Sequence, residues 1–170
     1  DTDPARLKAI KNTFLNIQTT TDYKDILNNP DIHAVVVAVP THLHYLLTKE
    51  ALEHGKHVLC EKPLALNAAQ CGELKALAEQ KDRVLKVGHI FVFNAGIVWL
   101  KDYILSGELG RVYYAYATRT NLGPFRYDVN ALWDLAPHDI SILNYLFDAC
   151  PVVASGRGEK CLGGSLEDIA

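Results

Sequence analysis

Short, unbroken apolar runs alternate along the chain with longer stretches whose apolar residues recur at helical spacing. Ala34 to Val39 is a β-branched apolar run bounded by Pro40, which predicts a strand buried on both faces. His57 to Cys60 and Val84 to Val87, the latter followed by Gly88, predict two more. Between them, Tyr45 to His54 reads as a helix closed by Gly55. Asn67 caps the next helix, along which Ala68, Cys71, Leu74, Leu77 and Ala78 keep one face apolar. Upstream, Asp3 caps a helix with Pro4 in its first turn that runs through Leu7, Ile10 and Lys11. Thr21 to Leu27 is a shorter helix, ended by Asn28, Asn29 and Pro30. Strands and helices in this alternation imply right-handed crossovers and a parallel sheet of the doubly wound α/β class. Such sheets bind ligands beyond their carboxyl ends. Attention therefore falls on Pro40, Thr41 and His42, on Glu61, Lys62 and Pro63, and on His89.

The second half has a different pattern. Asn94 to Ser106 is an amphipathic helix ending at Gly107. Arg111 to Thr120, rich in Tyr and Val, alternates as a half-exposed antiparallel strand does. A polar stretch spans 121–130, and Leu132 to Phe147 is an apolar helix carrying Asp134, His138 and Asp139. The change of pattern divides the chain near residue 92, into units 1–92 and 93–170.

Composition narrows the function. With 49% hydrophobic and 22% charged residues, the 170-residue chain is that of a globular protein. A net charge of -3 offers no basic field for nucleic acid. No run approaches the roughly 18 apolar residues of a membrane span. Cys60, Cys71, Cys150 and Cys161 form no C-x-x-C pair and read as reduced, mostly buried thiols, which fits the cytoplasm. There is no methionine, and the chain opens in a turn that leads straight into a helix. This reads as a fragment.

Three segments bear chemistry. Cys60-Glu61-Lys62-Pro63 directly follows a strand, where a partly desolvated ammonium has a lowered pKa and helps remove a hydroxyl proton. Pro63 fixes the backbone there and is a candidate for a cis bond. The plain alternative is a surface lysine in a turn. In Trp133-Asp134-Leu135-Ala136-Pro137-His138, a carboxylate and an imidazole four residues apart share a helix face. A carboxylate beside an imidazole fixes its tautomer and raises its basicity, as a general base requires. Pro137 means that the helix either begins near it or is kinked there. The plain alternative is a capped helix start with a core histidine. In Pro40-Thr41-His42-Leu43-His44, no ligand cluster accompanies the two histidines, and no metal site is assigned. Thr41 and His42 instead line a cofactor face at a helix start, with Thr41 a capping residue at the same time. The dinucleotide fingerprint G-x-G-x-x-G is absent. It follows the first strand of this fold and an acid closes the second. Asp1 stands where that ribose-binding acid belongs, which places the first strand and turn upstream; an ordinary terminal residue is the other reading.

Taken together, the order and spacing of these pieces resemble the Gfo/Idh/MocA oxidoreductases. The resemblance runs through Asp1 to Arg6, Ala38 to His44, Glu61-Lys62-Pro63, Val87 to Asn94 and Trp133 to His138. It implies a partial Rossmann-type parallel sheet followed by the start of an α/β domain with an open, mainly antiparallel sheet. It also implies NAD or NADP, hydride transfer at a secondary hydroxyl carbon of a sugar, sugar nucleotide or polyol, and a homo-oligomer. By motif position Lys62 and His138 are the catalytic pair, supported by Asp134. Asp1, Pro40, Thr41, His42, Glu61, Lys62, Pro63 and His89 border the cofactor. The segment 121–139 looks closest to members acting on nucleotide-linked sugars. Ala136 stands where many members carry Gly. The competing readings are a non-catalytic dinucleotide sensor of the same fold, which loss of the motif Lys or His would favour, and a gene remnant.

Overall fold

A computed structural model describes residues 1–120 and 128–170. Strands β1 (Ala34–Val37), β2 (His57–Cys60) and β3 (Leu85–Val87) form a parallel sheet in the order β1-β2-β3. Helix α3 (Thr41–Glu53) joins β1 to β2, and α4 (Ala68–Gln80) joins β2 to β3. Two right-handed crossovers stepping in one direction put both helices on one face of the sheet. There α3 packs on α4, β1 and β2. The core between them is Leu27, Val37, Ala51, Leu52, Val58, Cys60, Leu74 and Ala78.

This one-sided packing corrects the expectation that β1 is buried on both faces. Val37 points into the core, while Val36 on the opposite face is 67% exposed and Leu59 beside it is 41% exposed. An unbroken apolar run reveals that a strand is apolar on both sides, not that both sides are covered.

Local signals set the helix boundaries. Asp3 accepts hydrogen bonds from the Ala5 and Arg6 amides at the start of α1 (Pro4–Thr13). Asp22 caps the short α2 (Tyr23–Leu27), and Asn67 caps α4. Gly55 takes φ +72 after α3, a conformation that favours glycine. Helix α3 starts at Thr41, earlier than the expected Tyr45. Pro40 occupies its N-cap without a side-chain bond, so Thr41 is the first helical residue and not the cap. Buried Lys56 ties the approach to β1 in place by donating to the carbonyls of Asn29 (2.6 Å) and Ile32 (2.7 Å).

A short 3-10 helix, Ile90–Phe93, leads from β3 into α5 (Ala95–Leu105), which packs on α6 (Ala131–Phe147). Lys101 on α5 closes the far end of α6, donating to Tyr145 O (2.7 Å) and Asp148 Oδ1 (2.8 Å). Helix α6 runs through Pro137 without ending, which excludes a start at that residue. Residues 111–120 do not form the expected strand. No described segment pairs with them, and Tyr113, Tyr114 and Tyr116 are exposed; alternation without a ladder partner does not make a strand. The polar stretch expected at 121–130 lies largely outside the described residues. The four cysteines are free, but Cys150 and Cys161 are exposed and not buried as expected; they sit in irregular segments with little packed against them.

Candidate functional site

Parallel pairing brings the carboxyl ends of all three strands to one edge. The ladder continues one residue beyond them. Glu61 N donates to Val37 O (2.9 Å), and Gly88 N donates to Cys60 O (2.8 Å). The segments after β1, β2 and β3 therefore lie side by side. The Glu61 carboxylate rests against Gly88, where a Cβ would come within 3.2 Å of Oε2. The Lys62–Pro63 peptide bond is cis, as Pro63 suggested.

Lys62 reaches from this edge to the first turns of α6. Its Nζ donates to Asp134 Oδ1 and to the Asp134 backbone carbonyl, both at 2.7 Å. The two side chains are 17% and 24% exposed, so the ion pair is largely removed from water. Pro137 lacks the amide that would bond the Trp133 carbonyl, and the ladder is weakened at the turn that Lys62 meets. Trp133 adds a second tether, its Nε1 donating to Ala65 O (3.1 Å) just past Pro63. Asn130 caps the helix by accepting from Trp133 N. Helix α6 is thus docked onto the segment that carries Lys62 by three hydrogen bonds, each spanning about seventy residues of sequence.

His138 lies one turn further along α6, edge-on to Phe91 with ring centroids 4.8 Å apart. Burial pushes its pKa below the ordinary imidazole value, and the Lys62 and Arg119 charges push the same way; Asp139 opposes them and His89 adds to the lowering. Burial alone lowers His89. This corrects the expectation that a neighbouring carboxylate raises the basicity of His138. The Asp134 carboxylate is engaged by Lys62, so burial and cations dominate at the ring. Among the described residues, Nδ1 of His138 and Nδ1 of His89 are buried without a hydrogen-bond partner, and a buried polar atom left unpaired costs about 1–3 kcal/mol.

Arg119 completes the cluster. Its Nε and Nη2 donate to the two Asp139 oxygens at 2.9 and 2.8 Å. Its guanidinium also lies 4.7 Å from the centre of the Phe91 ring, on which His138 rests. Nothing in the sequence around Arg119 marks it. Its partner Asp139 follows His138 directly, but a single acid on a helix does not name the base across the fold that pairs with it.

The other expected residues differ in setting, and Asp1 lies apart from them. Pro63 is buried beside Lys62, and Thr41 is buried at the start of α3. Pro40, His42 and Glu61 are exposed along the same edge. Asp1 belongs to the turn before α1, where it accepts from Asp3 N (2.9 Å) and faces Arg6 at 4.0 Å. His42 and His44 do not converge: His42 faces outward, and His44 is buried between two backbone carbonyls. His44 was legible only as half of an H-x-H pattern.

This placement of a lysine and an imidazole at the carboxyl edge of a parallel sheet defines a class, and comparison with known proteins agrees with it. Residues 1–89 match the model of the oxidoreductase family with an NAD-binding Rossmann fold, and the chain belongs to this Gfo/Idh/MocA family. The inositol 2-dehydrogenase of Acidothermus cellulolyticus is 32% identical over 179 residues, covering 99% of this chain and 51% of that protein. The 1-carboxy-3-chloro-3,4-dihydroxycyclohexa-1,5-diene dehydrogenase of Comamonas testosteroni is 35% identical over 117 residues, covering 69% of this chain and 30% of the relative. Levoglucosan dehydrogenase, solved with NADH and levoglucosan, superposes with a TM-score of 0.73 at 28% identity, over 86% of this chain and 43% of that one. The chain spans about a third to a half of the length of these relatives. Among the described residues no helix is long and apolar enough to cross a membrane.

Proposed function

We propose that the protein is an NAD(P)-dependent dehydrogenase that oxidises a secondary hydroxyl of a sugar, sugar nucleotide or polyol, with Lys62, Asp134 and His138 as its working residues. The supporting observation is the state of Lys62. Its ammonium has three donors, and Asp134 takes two of them. No described residue takes the third, which would hold a substrate hydroxyl. Asp134 holds the amine in one direction, so the bound oxygen has a defined position.

The residues present fit the nicotinamide end of the cofactor. Pro40, Thr41 and His42, the Glu61–Pro63 segment and His89 border one edge, and two imidazole nitrogens that no described residue bonds, on His89 and His138, would meet polar groups of a ligand. When bound, the nicotinamide supplies the hydride acceptor. Lys62 orients the hydroxyl and stabilises the developing alkoxide. His138, kept neutral by burial and by nearby cations, takes the proton. The same groups serve the reverse reduction.

The relatives that act on inositol and levoglucosan support a polyhydroxylated substrate. We also propose a division near residue 92, a role for Asp1 at the adenosine ribose, a cytoplasmic location and a homo-oligomeric assembly for the complete gene product. The test is a screen of polyols, anhydrosugars and sugar nucleotides for nicotinamide reduction by that product. Turnover with one of them that disappears in Lys62→Ala is the expected result. Tight dinucleotide binding without turnover across the screen would favour a sensor instead.

A further inference from the structure

Buried His44 on α3 sits between two backbone carbonyls from different segments. Its side chain is enclosed, the residue being 1% exposed. Its Nδ1 lies 2.7 Å from Pro63 O and its Nε2 lies 2.8 Å from Val39 O. Both partners are backbone carbonyls, which accept and never donate. A ring nitrogen that carries a proton donates to the carbonyl it faces, so the ring ties its own helix to that segment.

The position of those carbonyls gives the arrangement a purpose. Val39 O belongs to the segment after β1, and Pro63 O to the segment after β2, immediately past Lys62. We propose that His44 is a positioning residue: its buried ring spans the two post-strand segments and thereby fixes the backbone from which Lys62 reaches Asp134. The inference rests on the catalytic reading of Lys62 for its consequence, but not for its chemistry. His44 touches no reacting atom and acts through Pro63 and the adjoining Lys62.

The two contacts can be kept one at a time. The amide nitrogen of Asn overlays imidazole Nδ1, and that of Gln overlays Nε2. His44→Asn keeps the donor toward Pro63 O, on the Lys62 side, and His44→Gln keeps only the donor toward Val39 O. In the complete gene product, His44→Asn is expected to retain kcat within about tenfold of the parent. His44→Gln is expected to lose about a hundredfold, the scale of a misplaced catalytic group. KM for the nicotinamide cofactor should change less than kcat in both. Equal losses in the two variants, or the reverse order, would overturn the positioning role.

A second measurement needs no variant. Ring-nitrogen correlation spectra of the histidine-labelled parent protein should show a proton on His44 Nδ1, the nitrogen that faces Pro63 O, and an Nδ1 without a proton would overturn the staple. This spectrum is independent of turnover. If Lys62→Ala remains active, the catalytic reading fails while the ring spectrum still decides the staple.

Discussion

Lys62 and Asp134 meet twice, the Lys62 amine donating to both the carboxylate and the backbone carbonyl of the same residue. The double contact joins the edge of the parallel sheet to the start of α6. It sets one amine against one helix turn in a way that a side-chain ion pair alone would not.

Lys62→Ala should lower kcat by roughly 10²–10⁴, the range for losing a positioned acid–base group, while cofactor affinity stays near that of the parent. Steady-state kinetics with a dinucleotide titration by fluorescence separates the two. Normal turnover would remove Lys62 from the chemistry.

Asp134→Asn retains an oxygen for the amine but removes the charge, and Asp134→Ala removes both. The Ala variant should lose roughly 1.5–3 kcal/mol of stability, the contribution of a hydrogen bond to a charged group, and the Asn variant less. Urea denaturation of both checks the order.

With His138 as the proposed base, its titration sets the pH dependence. Its lowered pKa keeps it neutral at neutral pH, so oxidation should rise with pH through an inflection below the ordinary value of 6.5 and then level off. His138→Asn should lower the rate strongly and abolish that inflection. The same shift bears on stability. The unfolded chain binds protons at its histidines before the folded one does, so stability should decline as pH falls from about 6.5 through the lowered folded values of His138 and His89. A melting temperature independent of pH across that window would contradict the assignment.

Arg119 and Asp139 act on His138 in opposite senses. Arg119→Met removes a cation and leaves Asp139 unpaired, so the inflection should move up. Asp139→Asn should move it down. Two pH–rate profiles decide the matter, and shifts in the same direction would show that the pair does not tune the ring.

The sequence revealed the local parts more fully than their meeting points. The β2 boundaries, the Asp3 and Asn67 caps and the glycine after α3 follow from single residues or short runs, and they agree with the structure. Lys62 and His138 stood out as candidates because a strand end and a four-residue spacing are local patterns, while their expected roles came from the family resemblance. The Asp134–Lys62 contact was misassigned to His138, because a shared helix face suggested an intrahelical pair while the stronger partner lay 72 residues away. Arg119, Trp133 and His44 gain their roles through tertiary contacts that leave no trace in spacing. The strand expected at 111–120 failed for a related reason: alternation describes one side of a ladder and says nothing of its partner.

The central claim is that Lys62 and His138 address one substrate oxygen. A crystal structure of the complete gene product with nicotinamide and a polyol bound tests it directly. The account predicts a hydroxyl oxygen about 3 Å from both Lys62 Nζ and a His138 ring nitrogen, with the Lys62–Asp134 contact intact. A polyol bound elsewhere, with Lys62 turned to water or His138 facing away from the ring, would contradict it.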